Sequence, residues 1–309
     1  LCFSQDTNPN VKEESKPDTV KIGIYTFSVY DMDFPANQVN LNFYVWYNYK
    51  NDSLNPVETF ELINAKEFSK TGETLEKYDT IIYRSFRCNS LLKKEWDVTD
   101  FPFDEHIIDI IIEDVDKDNS KLVFAPDIIG STIDRGVKLP GWVIKDFNIK
   151  VVDHTYETNY GDPHVPRDEY SSYSRVIASF TIERHGKGLF FKLFIGLFIS
   201  VLIAVLTFFV NPADLDPRFG LPVGAIFAAI ASLYVINSTL PQNATLTLVD
   251  VLHDISFIYI FICILISAVS LRFYKSDRIK ISNKLDKYSF LAIMISYVVL
   301  VVIFVTRSL

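Results

Sequence analysis

Asp114, Asp116 and Asp118 in the run DVDKDNS alternate like the opening ligands of a calcium loop, in which carboxylates at alternate positions converge on a hard cation. The sixth position is Asn119 instead of the glycine that makes the sharp turn, and the twelfth is Ala125 instead of the bidentate glutamate. That leaves two readings: a solvated hairpin turn, or a weak site for Ca2+ or another divalent ion. Signals of catalysis are scarcer still. No GxSxG, HExxH, P-loop or GxGxxG is present, and His106, His154, His164 and His185 lie on separate segments. The chain is therefore not expected to be an enzyme. Its three cysteines, Cys2, Cys88 and Cys263, read as neither a disulfide framework nor a thiolate metal site, the last lying inside an apolar run.

The elements that would position any chemistry fall into two unlike halves. The chain has 309 residues, 49% of them hydrophobic, and nearly every long apolar run comes after Gly188. A formal charge of −8 with no basic patch in the first half excludes a nucleic-acid partner and favours cations over anions. The first 18 residues, LCFSQDTNPNVKEESKPD, are polar and start without methionine. Removal of a secretory signal peptide would leave such an end, and so would a boundary of the piece itself.

A membrane-spanning helix needs about 20 mostly apolar residues. Four segments qualify, at 189–210, 219–236, 255–271 and 288–305, which predict helices at approximately 188–210, 217–238, 251–274 and 287–307. Lys275, Arg278, Lys280, Lys284 and Lys287 outnumber Asp277 and Asp286 in the last connection, and basic loops stay cytoplasmic. This orientation puts residues 1–187 and the C-terminus outside and makes 211–218 cytoplasmic. Residues 1–19 are read as a flexible lead, 20–186 as an exported domain and 187–309 as the transmembrane domain.

The second apolar segment differs from the others. It is rich in Gly and Ala, contains Pro222, and is flanked by Asp214, Asp216 and Arg218. Steps of four and three place Gly220, Gly224, Phe227, Ala231, Tyr234 and Ser238 on one stripe. In a ring of like helices that stripe would line a conduit, with Phe227 and Tyr234 as hydrophobic constrictions. Small residues also allow close helix packing in a bilayer, so both readings stand.

Between Val20 and His185 the chain alternates: VKIGIYTFSV, VNLNFYVWYNY, DTIIYRSFR, HIIDIIIEDV, KLVFAPDII, GWVIKDFNIKVV and SRVIASFTIER. Period two with β-branched and aromatic residues predicts strands, and strands at this spacing predict an immunoglobulin-like sandwich of about ten. The fold class expected is thus an all-β sandwich followed by a domain of four membrane helices.

Trp96-Asp97 followed by Phe101-Pro102-Phe103-Asp104-Glu105-His106 resembles the FPFDxQ signature of the Cys-loop receptor superfamily, with His106 in place of Gln. The cysteines of the animal receptors would fall at Lys94 and Ile108, so the likeness is to the bacterial branch of pentameric ligand-gated ion channels. Arg184 is similar to the arginine that closes the last strand in that family, Pro241 to the proline after the pore helix, and DPRFGLPVGAIF to the pore entrance. The resemblance implies a homopentamer in a bacterial inner membrane, with the β domain periplasmic, and a tight turn at Pro102, commonly through a cis bond. It implies a gating interface of Asp33, Phe103, Asp104, Arg184 and Pro241, Asp31 competing with Asp33, and a ring of Asp216 that selects cations. It also implies an agonist pocket under HTYETNYGDPHVPRDEYSSY. There Tyr156, Tyr160, Tyr170 and Tyr173 could cage an amine. Asp162, His164, Asp168 and Glu169 could instead hold a divalent ion or sense protons, or the segment is a mobile polar loop. Two departures stand out: the first span has no proline, and Pro222 sits early in the pore helix. The rival reading is a non-conducting membrane sensor that signals through its helices.

Overall fold

The computed structural model describes residues 16–161, 163, 166, 170–241 and 245–308. Ten strands come first: β1 Asp18–Asp33, β2 Gln38–Tyr49, β3 Phe60–Leu62, β4 Ala65–Tyr78, β5 Ile81–Lys93, β6 Glu105–Asp114, β7 Leu122–Pro126, β8 Thr132–Ile133, β9 Trp142–Tyr156 and β10 Ser171–Arg184. They form two sheets, one in the order β4-β5-β2-β1-β7 with β8 also on β1, the other β3-β6-β10-β9. All pairings are antiparallel except those of β1 with β7 and β8.

The alternation read from sequence is the alternation that packs. Every second residue of β2, from Val39 through Leu41, Phe43, Val45 and Tyr47 to Tyr49, is buried. Facing them, Ile108, Ile110 and Ile112 of β6 and Val176, Ala178, Phe180 and Ile182 of β10 are buried too. Each fully buried aliphatic or Phe side chain stabilises the sandwich by roughly 1.5–3 kcal/mol relative to exposure. The register between β10 and β9 runs without a break from Ser171↔Tyr156 to Phe180↔Phe147, and resumes after an irregularity to end at Arg184↔Trp142.

Four helices follow: α1 Gly186–Val205, extended by a 3-10 turn at Leu206–Phe209, then α2 Leu215–Asn237, α3 Leu248–Lys275 and α4 Ile279–Arg307. All four are long and apolar enough to cross a membrane. The chain is thus a membrane protein with a β domain and four spanning-length helices. α4 starts two turns before the expected 287, because the charged run IKISNKLD hides from hydropathy although its Ser282 and Asp286 are buried against the bundle. α3 starts at Leu248 instead of 251, where Thr247 and Asp250 form a capping box: the Asp250 N–H donates to Thr247 Oγ1, and the Thr247 N–H to Asp250 Oδ2.

α2 runs unbroken through Pro222. A proline offers no N–H to the carbonyl four residues back, here Arg218. The Thr207 hydroxyl donates to that carbonyl instead, at 2.5 Å, from within the 3-10 turn. A hydroxyl from a neighbouring helix thereby replaces the missing backbone bond in an apolar setting.

Candidate functional site

Three places bring together residues that the sequence singled out. The first is a cleft of about 460 Å3 on the β domain, lined by Glu61, Glu113, Asp114, Tyr156, Tyr160 and Tyr173 among others. β9 and β10 carry Tyr156 and Tyr173 at the open end of their ladder, and the two rings meet edge to face at 5.7 Å. Tyr160 stands 6.0 Å from Tyr156 and is exposed. The Tyr156 hydroxyl donates to Glu113 Oε2 at 2.9 Å and accepts from Arg175 Nη2 at 3.1 Å, while Arg175 Nε also pairs with Glu113. Burial and then the Glu113 carboxylate push the Tyr156 phenol up to about 12. Burial, reinforced by the nearby Glu113 charge, raises the Glu61 carboxyl above its ordinary value. The cleft therefore offers aromatic faces and an acid in which Arg175 already compensates Glu113. Tyr170 is half exposed and does not line this cleft. Asp162, His164, Asp168 and Glu169 lie outside the described residues.

In the run Asp114–Ser120 two carboxylates, those of Asp114 and Asp118, serve local hydrogen bonds. Asp114 Oδ1 accepts the N–H groups of Asp116 and Lys117, its Oδ2 accepts the Thr59 hydroxyl, and Asp118 Oδ1 accepts from Ser120. Among the described residues no group of three metal-ligating side chains converges.

The second place is the junction of the domains. The Phe101–Pro102 bond is cis, and the loop it shapes rests on the first turn of α1. Phe103 stacks on Phe190 at 5.6 Å. A Cβ on Gly186 would come within 2.2 Å of the Pro102 carbonyl oxygen, so only glycine permits this approach. The Leu248 N–H donates to the Thr99 carbonyl, which ties α3 to the same loop. Beneath it Arg184 donates to Asp104 through Nε (2.6 Å to Oδ1) and Nη2 (2.8 Å to Oδ2), and His106 Nε2 is 2.7 Å from Oδ2. The guanidinium lies over Trp142 at 4.0 Å, Phe101 at 4.9 Å and Phe34 at 5.0 Å. Burial by itself would push the Asp104 carboxyl up; the hydrogen bonds from His106 and Arg184 outweigh it and hold the group below the usual aspartate value.

The structure joins Asp104 and Arg184 and does not bring Asp33 to them: the Asp33 carboxylate accepts the Ala36 N–H at 2.9 Å, and its carbonyl accepts from Trp96. Asp31 has a positive φ of 49°. Pro241, in the connection between α2 and α3, is buried. Sequence reasoning missed His106 as a partner of Asp104, and Trp142 and Phe34 as the arginine's walls. The substitution of His for Gln within the FPFD run was the available signal for the first.

The third place is α2. Asp216, Gly220, Gly224, Phe227, Ala231, Tyr234 and Ser238 are all exposed, with Phe227 at 68% and Tyr234 at 77%. The opposite face of the helix, Arg218, Pro222, Ala225, Ala229 and Ile236, is buried against the bundle. Arg218 is wholly buried: Nη1 donates to the Val210 carbonyl at 2.6 Å and Nη2 to Asp286 Oδ1 at 2.7 Å. Asp286, read from sequence only as part of a basic loop, is the acid that holds it. A carboxylate two residues before an apolar span was the signal available.

No protein-family model matches the chain, and no curated protein matches its sequence.

Proposed function

We propose that this chain is one subunit of a ligand-gated, cation-selective ion channel, in which five copies ring a pore lined by α2, and that it is not an enzyme. One observation carries the reading. The stripe of small and aromatic residues from Asp216 to Ser238 is left uncovered by the other helices, while the charged Arg218 turns the opposite way. On α1 and α4 the exposed faces are dominated by large apolar side chains such as Phe191, Ile195, Leu291 and Val298, with Gly188, Gly196, Ala292 and Ser296 among them, as lipid contact allows. The uncovered stripe of α2 gathers Gly220, Gly224 and Ala231 in step with two aromatic rings, Phe227 and Tyr234, a face suited to meeting copies of itself around water.

In such a ring Asp216 would place a carboxylate from each copy at one mouth, and Arg218, neutralised by Asp286, would not oppose it. The β domain would take the ligand. The cleft of Tyr156, Tyr160 and Tyr173 with Glu61 suits an organic amine, which gains roughly 0.5–2 kcal/mol over aromatic faces. β10 then links the two sites in one strand: Arg175 at the cleft and Arg184 at the junction are nine residues apart, roughly 30 Å of extended chain. Only a ligand that binds one arrangement of the sites better than the other can shift the pore between closed and open.

Currents across planar bilayers test this directly. Amines should evoke cation-selective current that Tyr156→Ala abolishes, and Asp216→Asn should lower conductance or cation preference. Cysteines at Gly224, Phe227 and Tyr234 should react with aqueous thiol reagents faster than cysteines at Ala225 and Ala229. Equal reactivity, or a solubilised particle of one or two copies, would favour the non-conducting sensor.

A further inference from the structure

At the end of the bundle away from the β domain, Ile279, Asn283, Asp286, Lys287 and Phe290 fall on α4 at the spacing that forms one helix face. That face closes a cavity of about 550 Å3 against Phe209 of the 3-10 turn, Val210 just after it, and Tyr274 of α3. The volume lies in the range of small-molecule sites. Its wall is chemically graded. Toward the helix ends it presents the Lys287 ammonium, the Asn283 amide and the Asp286 carboxylate; further along it presents Phe209 and Phe290, whose rings meet edge to face at 4.9 Å.

Asp286 gives one oxygen, Oδ1, to Arg218, and its Oδ2 receives no donor among the described residues. An acceptor and a cation thus sit one residue apart on the same wall. A purely anionic head group would satisfy Lys287 and meet Asp286 unfavourably. A head group carrying a phosphate and an N–H donating ammonium satisfies both. The surroundings specify how such a group is delivered: Phe209 is 69% exposed and Ile279 44% exposed beside the opening, at the ends of four spanning-length helices. Basic pockets between membrane helices hold lipid head groups by this combination of charge and depth.

We infer that this cavity binds a phospholipid with a primary-amine zwitterionic head group, its phosphate toward Lys287 and Asn283, its ammonium toward Asp286 Oδ2, and its acyl chains along Phe209 and Phe290. The site does not depend on the channel reading, since all its walls belong to one chain. Through Asp286 and Arg218 an occupant would touch the helix that carries the Asp216–Ser238 stripe.

Native mass spectrometry of the intact, detergent-solubilised protein titrated with phosphatidylethanolamine, phosphatidylcholine and phosphatidylglycerol tests it. Phosphatidylethanolamine should be retained best, because the trimethylated amine of phosphatidylcholine has no N–H to donate and phosphatidylglycerol has no ammonium. Lys287→Ala should cut that retention about tenfold, the scale of one charge-assisted hydrogen bond. Asn283→Leu should cut it less, and Lys284→Ala, off the cavity wall, should leave it unchanged. Equal retention of the three lipids, or no loss in Lys287→Ala, would overturn the assignment. Competition by soluble glycerophosphoethanolamine at equal concentration would overturn the lipid as occupant, and its failure to compete supports it.

Discussion

Among the described residues two arginines, Arg184 and Arg218, are each paired with a buried aspartate, and the two are held in opposite ways. Arg184, at the domain junction, gives two N–H groups to one carboxylate and lies among three aromatic faces. Arg218, between the helices, divides itself between a backbone carbonyl and one carboxylate oxygen, and its Nε has no partner. The side chain of Arg184 keeps 13% of its surface exposed, and that of Arg218 none. A guanidinium with several weak supports tolerates the loss of one. A guanidinium in an apolar bundle with a single counter-charge does not, because no solvent and no π-face remains to take over.

The largest effect should therefore come from Asp286→Ala, which leaves Arg218 buried and uncompensated. Loss of a partner from a buried pair costs about 3–5 kcal/mol, so thermal unfolding in detergent should show the variant mostly unfolded or poorly recovered. Replacing both groups, Arg218→Met with Asp286→Leu, should restore most of that stability, since an apolar pair of similar volume needs no desolvation. Asp104→Asn should cost less than Asp286→Ala, because an amide still accepts from Arg184 and the aromatic box remains. Equal losses in the two variants would erase the contrast.

Next in size is Gly186→Ala. The new methyl would collide with the Pro102 carbonyl, a backbone atom that cannot rotate away. Overpacking of this kind costs about 1–3 kcal/mol. The strain falls on the contact between the cis-proline loop and α1, so the variant should also loosen Phe103 from Phe190, visible as faster proton exchange of the Phe103 amide. An unchanged exchange rate would mean that the junction can slide without cost.

The two arginines differ as much in how legible they were. Arg184 sits at the end of an alternating strand and was readable by position. Its aromatic walls were not, because Phe34, Phe101 and Trp142 come from three distant segments. The sandwich itself was plain wherever one face is buried, as in β2, β6 and β10. β4, AKEFSKTGETLEKY, gave no alternation because it is an edge strand exposed on nearly every residue, and charge there discourages edge-to-edge pairing. The short β3 and β8 pair over two or three residues and are too brief for any period to register. The four spans were read from apolar length, and the stripe on α2 from spacing alone. Thr207 was invisible because its role is set by what another helix lacks, and the partner of Asp286 was hidden because Arg218 lies on a helix far away in sequence.

Thr207→Val sharpens that last point. The valine would leave the Arg218 carbonyl without its donor, an unsatisfied buried acceptor costing about 1–3 kcal/mol. Adding Pro222→Ala restores a backbone N–H at the right place, so the double variant should be more stable than Thr207→Val. If Pro222→Ala brings no recovery, the hydroxyl does not stand in for the missing bond.

At neutral pH the smallest difference between the two regions should come from protonation. The folded-state value of Asp104 lies below that of an unfolded aspartate, near 3.9. Its ionised form therefore contributes stability that is complete above about pH 4 and is lost as pH falls through the lower folded value. The wild-type melting temperature should hold from pH 7 toward this region and then drop, and Asp104→Asn should start lower and drop less steeply. His106 and Arg184 are the groups that hold the charge. His106→Gln keeps one donor and should leave the acid slope steeper than Asp104→Asn does. Parallel acid slopes in wild type and Asp104→Asn would show that the other depressed carboxylates, Asp97, Asp127 and Asp134, carry the dependence.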